Sequence, residues 1–92
     1  MRCVYVCSPI RGNVPENIEK LKKYAEYVIK NGKVPVLPFL CGKECNSLIF
    51  ASDELWVFGN NPTQEMLREI NLAKSINLEI KYIKDLEEFK VE

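Results

Sequence analysis

Short apolar runs alternate with longer stretches of helical periodicity along this chain of 92 residues. The runs 2–7, 34–39, 54–58 and 78–83 are rich in β-branched and aromatic residues, which predicts four strands. Pro35 and Pro38 each remove a backbone donor from the second run. We therefore expect the second strand at an edge of the sheet.

The segment after the first strand carries the signals of a helix start and a helix end. Asn13 can cap this helix, Pro15 suits its first turn, Glu16 completes a capping box, and Gly32 ends it. One apolar stripe at helical spacing is predicted to face the core, and it consists of Ile18, Leu21, Ala25, Val28 and Ile29.

Further helical segments are predicted in the second half of the chain. A short helix over 43–51 presents Leu48 and Ile49. A longer helix begins at Pro62, and Met66, Ile70 and Ala73 form its buried face. The acidic tail after residue 83 is predicted to be amphipathic and to dock on the body of the protein.

The alternation of strands and helices predicts an α/β fold in a single domain that spans residues 1–92. Short connections and right-handed crossovers favour a small doubly wound parallel sheet of the flavodoxin-like or Rossmann-like kind, with about four strands in the order 2-1-3-4. Ligands of such sheets bind beyond the carboxyl ends of the strands, where the winding reverses. Here that place lies between the first and third strands.

Charge and hydropathy exclude several classes of partner. Thirteen basic and thirteen acidic side chains cancel, so no overall field attracts nucleic acid or an anionic membrane. No apolar stretch approaches the roughly 20 residues that span a bilayer, and the N-terminus lacks a signal-peptide pattern. We expect a soluble, cytoplasmic protein without a nucleic-acid or membrane partner.

Four cysteines form two pairs with equal spacing, Cys3 with Cys7 and Cys41 with Cys45. Along a strand, the side chains of Cys3 and Cys7 would lie about 13 Å apart, which is too far to chelate one ion. Buried thiols that serve as small apolar side chains are favoured over a metal site or a disulfide. We expect no metal and no cofactor.

The turn after the first strand combines Ser8, Arg11 and Gly12. A hydroxyl, a guanidinium and a glycine that permits close backbone approach can surround a phosphate, and the N-terminus of the next helix adds free amides. This pattern predicts a phosphate site. The alternative is a turn with a solvated arginine.

A second half-site is predicted at the start of the helix that begins at Pro62. Thr63 offers a hydroxyl there, and Glu69 lies about two turns further in, on the face toward the sheet. A carboxylate in this position needs a cleft or a partner, and a salt bridge at the rim is the alternative to a site role. Tyr5 lies near the same cleft and either contacts a ligand or packs in the core.

These segments are similar to motifs of the nucleoside 2-deoxyribosyltransferase-like superfamily, which has short phage and bacterial members and includes related 2′-deoxynucleoside 5′-monophosphate N-glycosidases. The stretch 5–12 resembles the strand and loop that hold the 5′-phosphate in the glycosidases. The stretch 52–58 resembles their third strand, and 62–73 resembles the helix that carries the nucleophile. The resemblance covers most of the chain.

The resemblance implies roles for six residues. Glu69 would take the place of the nucleophile that attacks the anomeric carbon of the sugar, and Tyr5 would position its carboxylate. The phosphate would be held by Ser8, Arg11, Gly12 and Thr63. Because family enzymes often complete their pockets across a homodimer, we also expect a dimer.

The sequence departs from the family where catalysis would suffer. Glu65 and Leu67 stand where the enzymes have glycine residues, and those glycines leave room for the sugar. Cys45 stands nearest the place of the acid that assists the leaving base. These departures favour binding of a nucleotide or nucleotide-derived small molecule with reduced or absent catalysis. Two alternatives stay open: an active N-glycosidase or 2-deoxyribosyltransferase that uses Glu69, and a protein-interaction module with an empty cleft.

Overall fold

The computed structural model describes residues 1–8, 15–37, 45–59 and 62–83, with 15–17 and 45–47 described by their backbone alone. All strand pairs in the described sheet are parallel, and the strands lie in the order β2-β1-β3-β4. The predicted α/β fold and strand order are confirmed. The elements are β1 (Cys3–Cys7), α1 (Pro15–Lys30), β2 (Val34–Val36), a 3₁₀ helix (Cys45–Ala51), β3 (Glu54–Phe58), α2 (Gln64–Ser75) and β4 (Glu79–Ile83).

Helices cover both faces of the sheet, so the central strands are buried on both sides. All five residues of β3 are buried, which explains why its sequence shows no polar alternation. On one face, Val4, Val6 and Trp56 pack with residues of α1. On the other face, Tyr5 and Leu55 pack with residues of α2 and the 3₁₀ helix. We call these the α1 face and the α2 face.

The predicted apolar stripe of α1 contains one error. Leu21 and Val28 are buried as predicted, whereas Ile29 is 58% exposed and Tyr24 is 2% exposed. Positions 21, 24 and 28 follow the spacing of one helix face, and Ile29 lies about 100° around the helix from Val28. Tyr24 stacks on Phe58 with 4.5 Å between the ring centroids. The tyrosine therefore supplies the apolar surface that was assigned to Ile29.

Most element boundaries agree with the sequence prediction to within a few residues. Gly32 adopts a φ of 77° directly after α1, as expected for a helix end. β2 lies at the sheet edge as predicted but ends at Val36. The predicted helix over 43–51 is a 3₁₀ helix over Cys45–Ala51, and its Ile49 is fully buried.

Two predicted features lie outside the described residues: the cap of α1 at Asn13 and the amphipathic tail after residue 83. None of the described helices combines the length and the apolar character that a membrane crossing requires.

Candidate functional site

Tyr5 and Glu69 meet on the α2 face of the sheet. The Tyr5 hydroxyl donates a hydrogen bond to Glu69 Oε2 across 2.9 Å. Tyr5 is fully buried, and Glu69 is 3% exposed. A hydrogen bond from a phenol to a carboxylate is charge-assisted and fixes the orientation of the acceptor. Both residues were singled out from the sequence, and the structure brings them into direct contact.

Tyr5 and Glu69 lie at a similar distance from the carboxyl edge of the sheet, as the regular geometry of β1 and α2 requires. Thr63 caps α2, and Glu69 follows it by six residues, which corresponds to about 9 Å along the helix axis. Ser8 follows Tyr5 by three residues, which corresponds to about 10 Å along a strand. Along both elements, the backbones of Tyr5 and Glu69 thus lie at a similar distance from the rim of the sheet.

The N-terminus of α2 is organised by Thr63. Its side-chain oxygen accepts a hydrogen bond from the Met66 backbone N–H across 3.2 Å, and the Thr63 N–H contacts Met66 Sδ at 3.4 Å. The helix therefore begins at Gln64, two residues later than the predicted start at Pro62. Thr63 is exposed, and because this bond uses its oxygen as an acceptor, the hydroxyl keeps its capacity to donate a hydrogen bond.

Met66 links α2 to β1 as well as to its own cap. The side chain of Met66 is fully buried, and its backbone carbonyl lies 3.8 Å from the thiol of Cys7, the last residue of β1. The predicted buried face of the helix, Met66, Ile70 and Ala73, is confirmed, and Glu69 lies on it. The carboxylate is therefore held on a face that packs on the sheet.

Ser8 lies directly after β1 and is 2% exposed. Its place at the carboxyl end of β1, beside the central strand β3, is the place predicted for a phosphate ligand. Arg11 and Gly12 lie outside the described residues. Of the four residues predicted to hold phosphate, the structure thus places Ser8 and Thr63.

A second buried glutamate lies on the opposite face and was missed from the sequence. Glu54 opens β3, lies on the α1 face and is 3% exposed. Its Oε2 atom accepts hydrogen bonds from Arg2 Nε and Lys33 Nζ, each at 2.7 Å, and its Oε1 atom accepts one from Trp56 Nε1 at 2.7 Å. One signal in the sequence could have identified Glu54: an acid at the start of a strand that is predicted to be buried on both faces needs partners that balance its charge.

The surroundings of Glu54 stabilise its ionised form. Burial by itself raises the pKa of the carboxyl, but hydrogen bonds from Lys33, Trp56 and Arg2 outweigh that effect and lower the pKa to about 2. The group is therefore a carboxylate at neutral pH. It lies at the amino ends of the strands, away from the edge where a ligand of this fold would bind.

Asp53 also holds the amino ends of the strands together. Its Oδ2 atom accepts a hydrogen bond from the backbone N–H of Cys3 across 2.7 Å. Since Cys3 begins β1, the contact joins two neighbouring strands. The parallel pairing of β1 with β3 brings these two residues together, although they lie 50 positions apart in the sequence.

In the described part of the chain, Cys3 is half-buried and Cys7 is buried, and neither forms a disulfide there. No group of three or more acidic, histidine or cysteine side chains suited to a metal ion occurs within 1–8, 15–37, 45–59 and 62–83. Cys41 lies outside these ranges, and so does the side chain of Cys45.

Comparison with known proteins gives one finding on family. Residues 2–45 match the model of a family described as a domain of unknown function, DUF7768. The match spans β1, α1 and β2 and stops before β3 and α2. No curated protein matches the sequence. The matched part of the chain contains Tyr5 and the predicted phosphate loop. The description of the family names no activity.

Proposed function

We propose that this chain binds a nucleotide or a nucleotide-derived small molecule at the carboxyl edge of its sheet, with reduced or absent catalysis. The observation that supports the proposal is the hydrogen bond from the Tyr5 hydroxyl to Glu69 Oε2. A carboxylate oriented by a phenol, set below the capped start of α2 and below Ser8, suits the sugar of a ligand whose phosphate lies at the rim of the sheet.

The charge distribution fits the same orientation of the ligand. The N-terminus of α2 carries a partial positive charge and exposed amides, which favour a phosphate. Glu69 would repel a phosphate and accept hydrogen bonds from sugar hydroxyls. A ligand with an anionic end and a hydroxylated middle therefore matches the two ends of this site.

The burial of Glu69 limits the access of a ligand to its carboxylate. At 3% exposure, the carboxylate meets a ligand only after neighbouring groups move. This adds a conformational cost to any reaction at Glu69. Together with Glu65 and Leu67, which stand where the related enzymes have glycine, it supports a site whose chemistry is weakened.

The Tyr5 contact also supports a second candidate, an N-glycosidase that uses Glu69. In that reaction the carboxylate attacks the anomeric carbon, the bond to the base breaks, and water later cleaves the ester. The Tyr5 hydrogen bond would orient the Glu69 carboxylate for the attack.

Calorimetric titration with deoxynucleoside 5′-monophosphates and with the matching nucleosides tests the binding proposal. We expect binding of the phosphorylated ligands and at least a tenfold loss for the nucleosides, since two half-sites hold the phosphate. The variant Arg11→Gln should weaken binding, whereas Arg68→Gln on the exposed face of α2 should not. Equal affinity for both ligand classes, or no heat with any of them, would contradict the proposal.

Thr63 allows a test in which the helix cap is kept. Thr63→Ser retains the hydroxyl and the cap, and Thr63→Asp retains the cap but adds a negative charge. We expect near-normal binding with serine and loss of binding with aspartate, while circular dichroism reports equal helix content. Unchanged binding by the aspartate variant would show that the phosphate does not bind at the N-terminus of α2.

Chromatographic detection of free base separates the two candidates. Incubation of the wild-type chain with deoxynucleoside monophosphates should release little or no base if the site only binds. Base release that disappears in Glu69→Gln, falls in Tyr5→Phe and persists in Glu26→Gln on the exposed face of α1 would establish the glycosidase.

A further inference from the structure

The two edges of the sheet differ in their capacity to pair with another strand. β2 has three residues, and Pro35 at its centre has no backbone N–H. β4 has five residues, none of them proline, and within the described chain its outer edge pairs with no strand. Tyr82 on this edge is 54% exposed. An edge of this kind is a ready template for strand addition.

The outward backbone groups of β4 can be assigned. The Ile83 carbonyl accepts a hydrogen bond from the Gly59 N–H, so residue 83 directs its backbone groups toward β3. Backbone direction alternates along a strand, and Glu79 and Lys81 therefore face β3 in the same way. Ile80 and Tyr82 consequently direct their N–H and C=O groups outward, to the edge that pairs with no strand among the described residues.

The side chains of β4 also divide between the two faces. Lys81 lies opposite Trp56 in the sheet, with its Nζ atom 4.7 Å from the centre of the indole, which places Lys81 and Glu79 on the α1 face. Leu78 and Ile80 pack on the α2 face. The edge thus presents one acidic and one basic side chain on one face and apolar side chains on the other.

We propose that β4 pairs antiparallel with β4 of a second copy of this chain, with Ile80 opposite Ile80 on the two-fold axis. In this register Glu79 of each copy lies opposite Lys81 of the other, and Leu78 lies opposite Tyr82. Both Ile80 residues exchange their outward backbone hydrogen bonds. The result is a continuous eight-stranded sheet with α1 on one face and α2 on the other in both copies.

The charges select this register over its neighbours. A shift that centres the pairing on Lys81 places two lysines directly opposite each other, and a shift that centres it on Glu79 places two glutamates opposite each other. Opposed like charges destabilise an antiparallel pair, whereas opposed unlike charges stabilise it. Glu79 also contacts Arg2 at 3.2 Å in its own chain, and both side chains are largely exposed, so this contact leaves Glu79 accessible to a second lysine.

Strand addition over five residues buries less surface than a standard stable interface of about 1,600 Å². The dimer is therefore weak and depends on concentration. This inference is independent of the nucleotide proposal, because β4 is the edge strand on the far side of β3 from β1 and Tyr5.

Sedimentation velocity over a range of concentrations tests the dimer, and two charge reversals test its register. Glu79→Lys places lysine opposite lysine, and Lys81→Glu places glutamate opposite glutamate. Each variant alone should weaken self-association by about tenfold or more, since two attractive pairs become repulsive. An equimolar mixture of the two variants should associate again, because every opposed pair is then of unlike charge.

Urea unfolding of each variant provides the control for folding, and Glu19→Lys on α1 provides a matched reversal away from the edge, which should leave association unchanged. Two results would overturn the proposal. One is a wild-type chain that stays monomeric at millimolar concentration, in which case Glu79 and Lys81 protect the edge against pairing. The other is association that persists in both variants.

Discussion

Two buried glutamates lie on opposite faces of the sheet, each 3% exposed, and each accepts a hydrogen bond from an aromatic side chain. Glu54 accepts from the Trp56 indole and also from a guanidinium and an ammonium. Glu69 accepts from the Tyr5 hydroxyl. The two cations balance the charge of Glu54, and the Tyr5 hydroxyl orients Glu69.

The positions of the two glutamates in the fold sharpen this contrast. Glu54 lies at the amino ends of the strands, where Arg2 and Lys33 join β3 to the starts of β1 and β2. Glu69 lies on the helix that begins at the carboxyl edge, where ligands of doubly wound sheets bind. Because two equally buried acids lie toward opposite ends of the strands, burial of an acid does not by itself identify a site.

Removal of the negative charge from each glutamate should have unequal effects on stability. Glu54→Gln leaves two cations without their shared acceptor, and we expect a loss of roughly 2 to 3 kcal/mol in the free energy of unfolding. Glu69→Gln keeps an oxygen that can accept from Tyr5, and we expect a loss below about 1 kcal/mol. Urea denaturation measures both, with Glu26→Gln on the exposed face of α1 as control. Equal losses at the two positions would remove the distinction drawn here.

The pH dependence of stability should come mainly from Glu54 on the acidic side. Its pKa falls from an ordinary value of 4.5 to about 2 on folding, so the unfolded chain takes up a proton first as the pH is lowered. The stabilisation is fully present above about pH 5 and is lost between about pH 4.5 and 2, by about 2 to 3 kcal/mol. Thermal melts of the wild type and of Glu54→Gln across this range measure the effect. We expect the difference between the two proteins to shrink steadily below pH 4.5, and a constant difference would show that Glu54 is not the titrating group.

Loss of the Tyr5 hydroxyl should lower the free energy of unfolding by less than the loss of the Glu54 charge does. Tyr5→Phe keeps the ring in the core and removes the hydrogen bond to Glu69, for an expected cost of about 1 to 2 kcal/mol. Tyr82→Phe removes an exposed hydroxyl at the edge of the sheet and should change stability by less than about 0.5 kcal/mol. A double-mutant cycle of Tyr5→Phe with Glu69→Ala isolates the coupling between the two side chains. A coupling near zero would mean that Tyr5 does not hold Glu69 in place.

The sequence predicts the architecture of this chain well because its apolar periodicity is clear and its glycine and proline residues mark the ends and edges of elements. The four apolar residues of β3 at 55–58, which are followed by Gly59, place a central strand, and the proline of β2 places an edge strand. The α1 stripe was harder, since Tyr24 and Ile29 are both apolar and only tertiary packing decides which of them faces the sheet. Local patterns fix the elements more firmly than they fix the exact face of each helix.

The candidate site was predicted in part for the same reason. Glu69 was found because helix periodicity places it on a buried face. Tyr5 was found because it lies on the strand that precedes the predicted phosphate loop, near the same cleft. Glu54 was missed because its partners Arg2 and Lys33 are distant in sequence from it and from each other. The parallel pairing brings these residues together, and that pairing is visible only in the folded chain.

The two cations at Glu54 should contribute unequally, and this is the finest test of the comparison. Lys33 and Arg2 both reach Oε2 at 2.7 Å, but their side chains are 27% and 52% exposed. Water screens the more exposed charge more strongly, and Arg2 also contacts Glu79, so its removal leaves Glu54 with a strong partner. We expect Lys33→Met, which keeps the apolar stem, to destabilise by about 1 kcal/mol and Arg2→Met to destabilise by less. Urea unfolding in low and high salt measures both, and added salt should narrow the gap between Arg2→Met and the wild type first. If Arg2→Met proved the more damaging variant, Glu54 would be held chiefly through the start of β1 and not through β2.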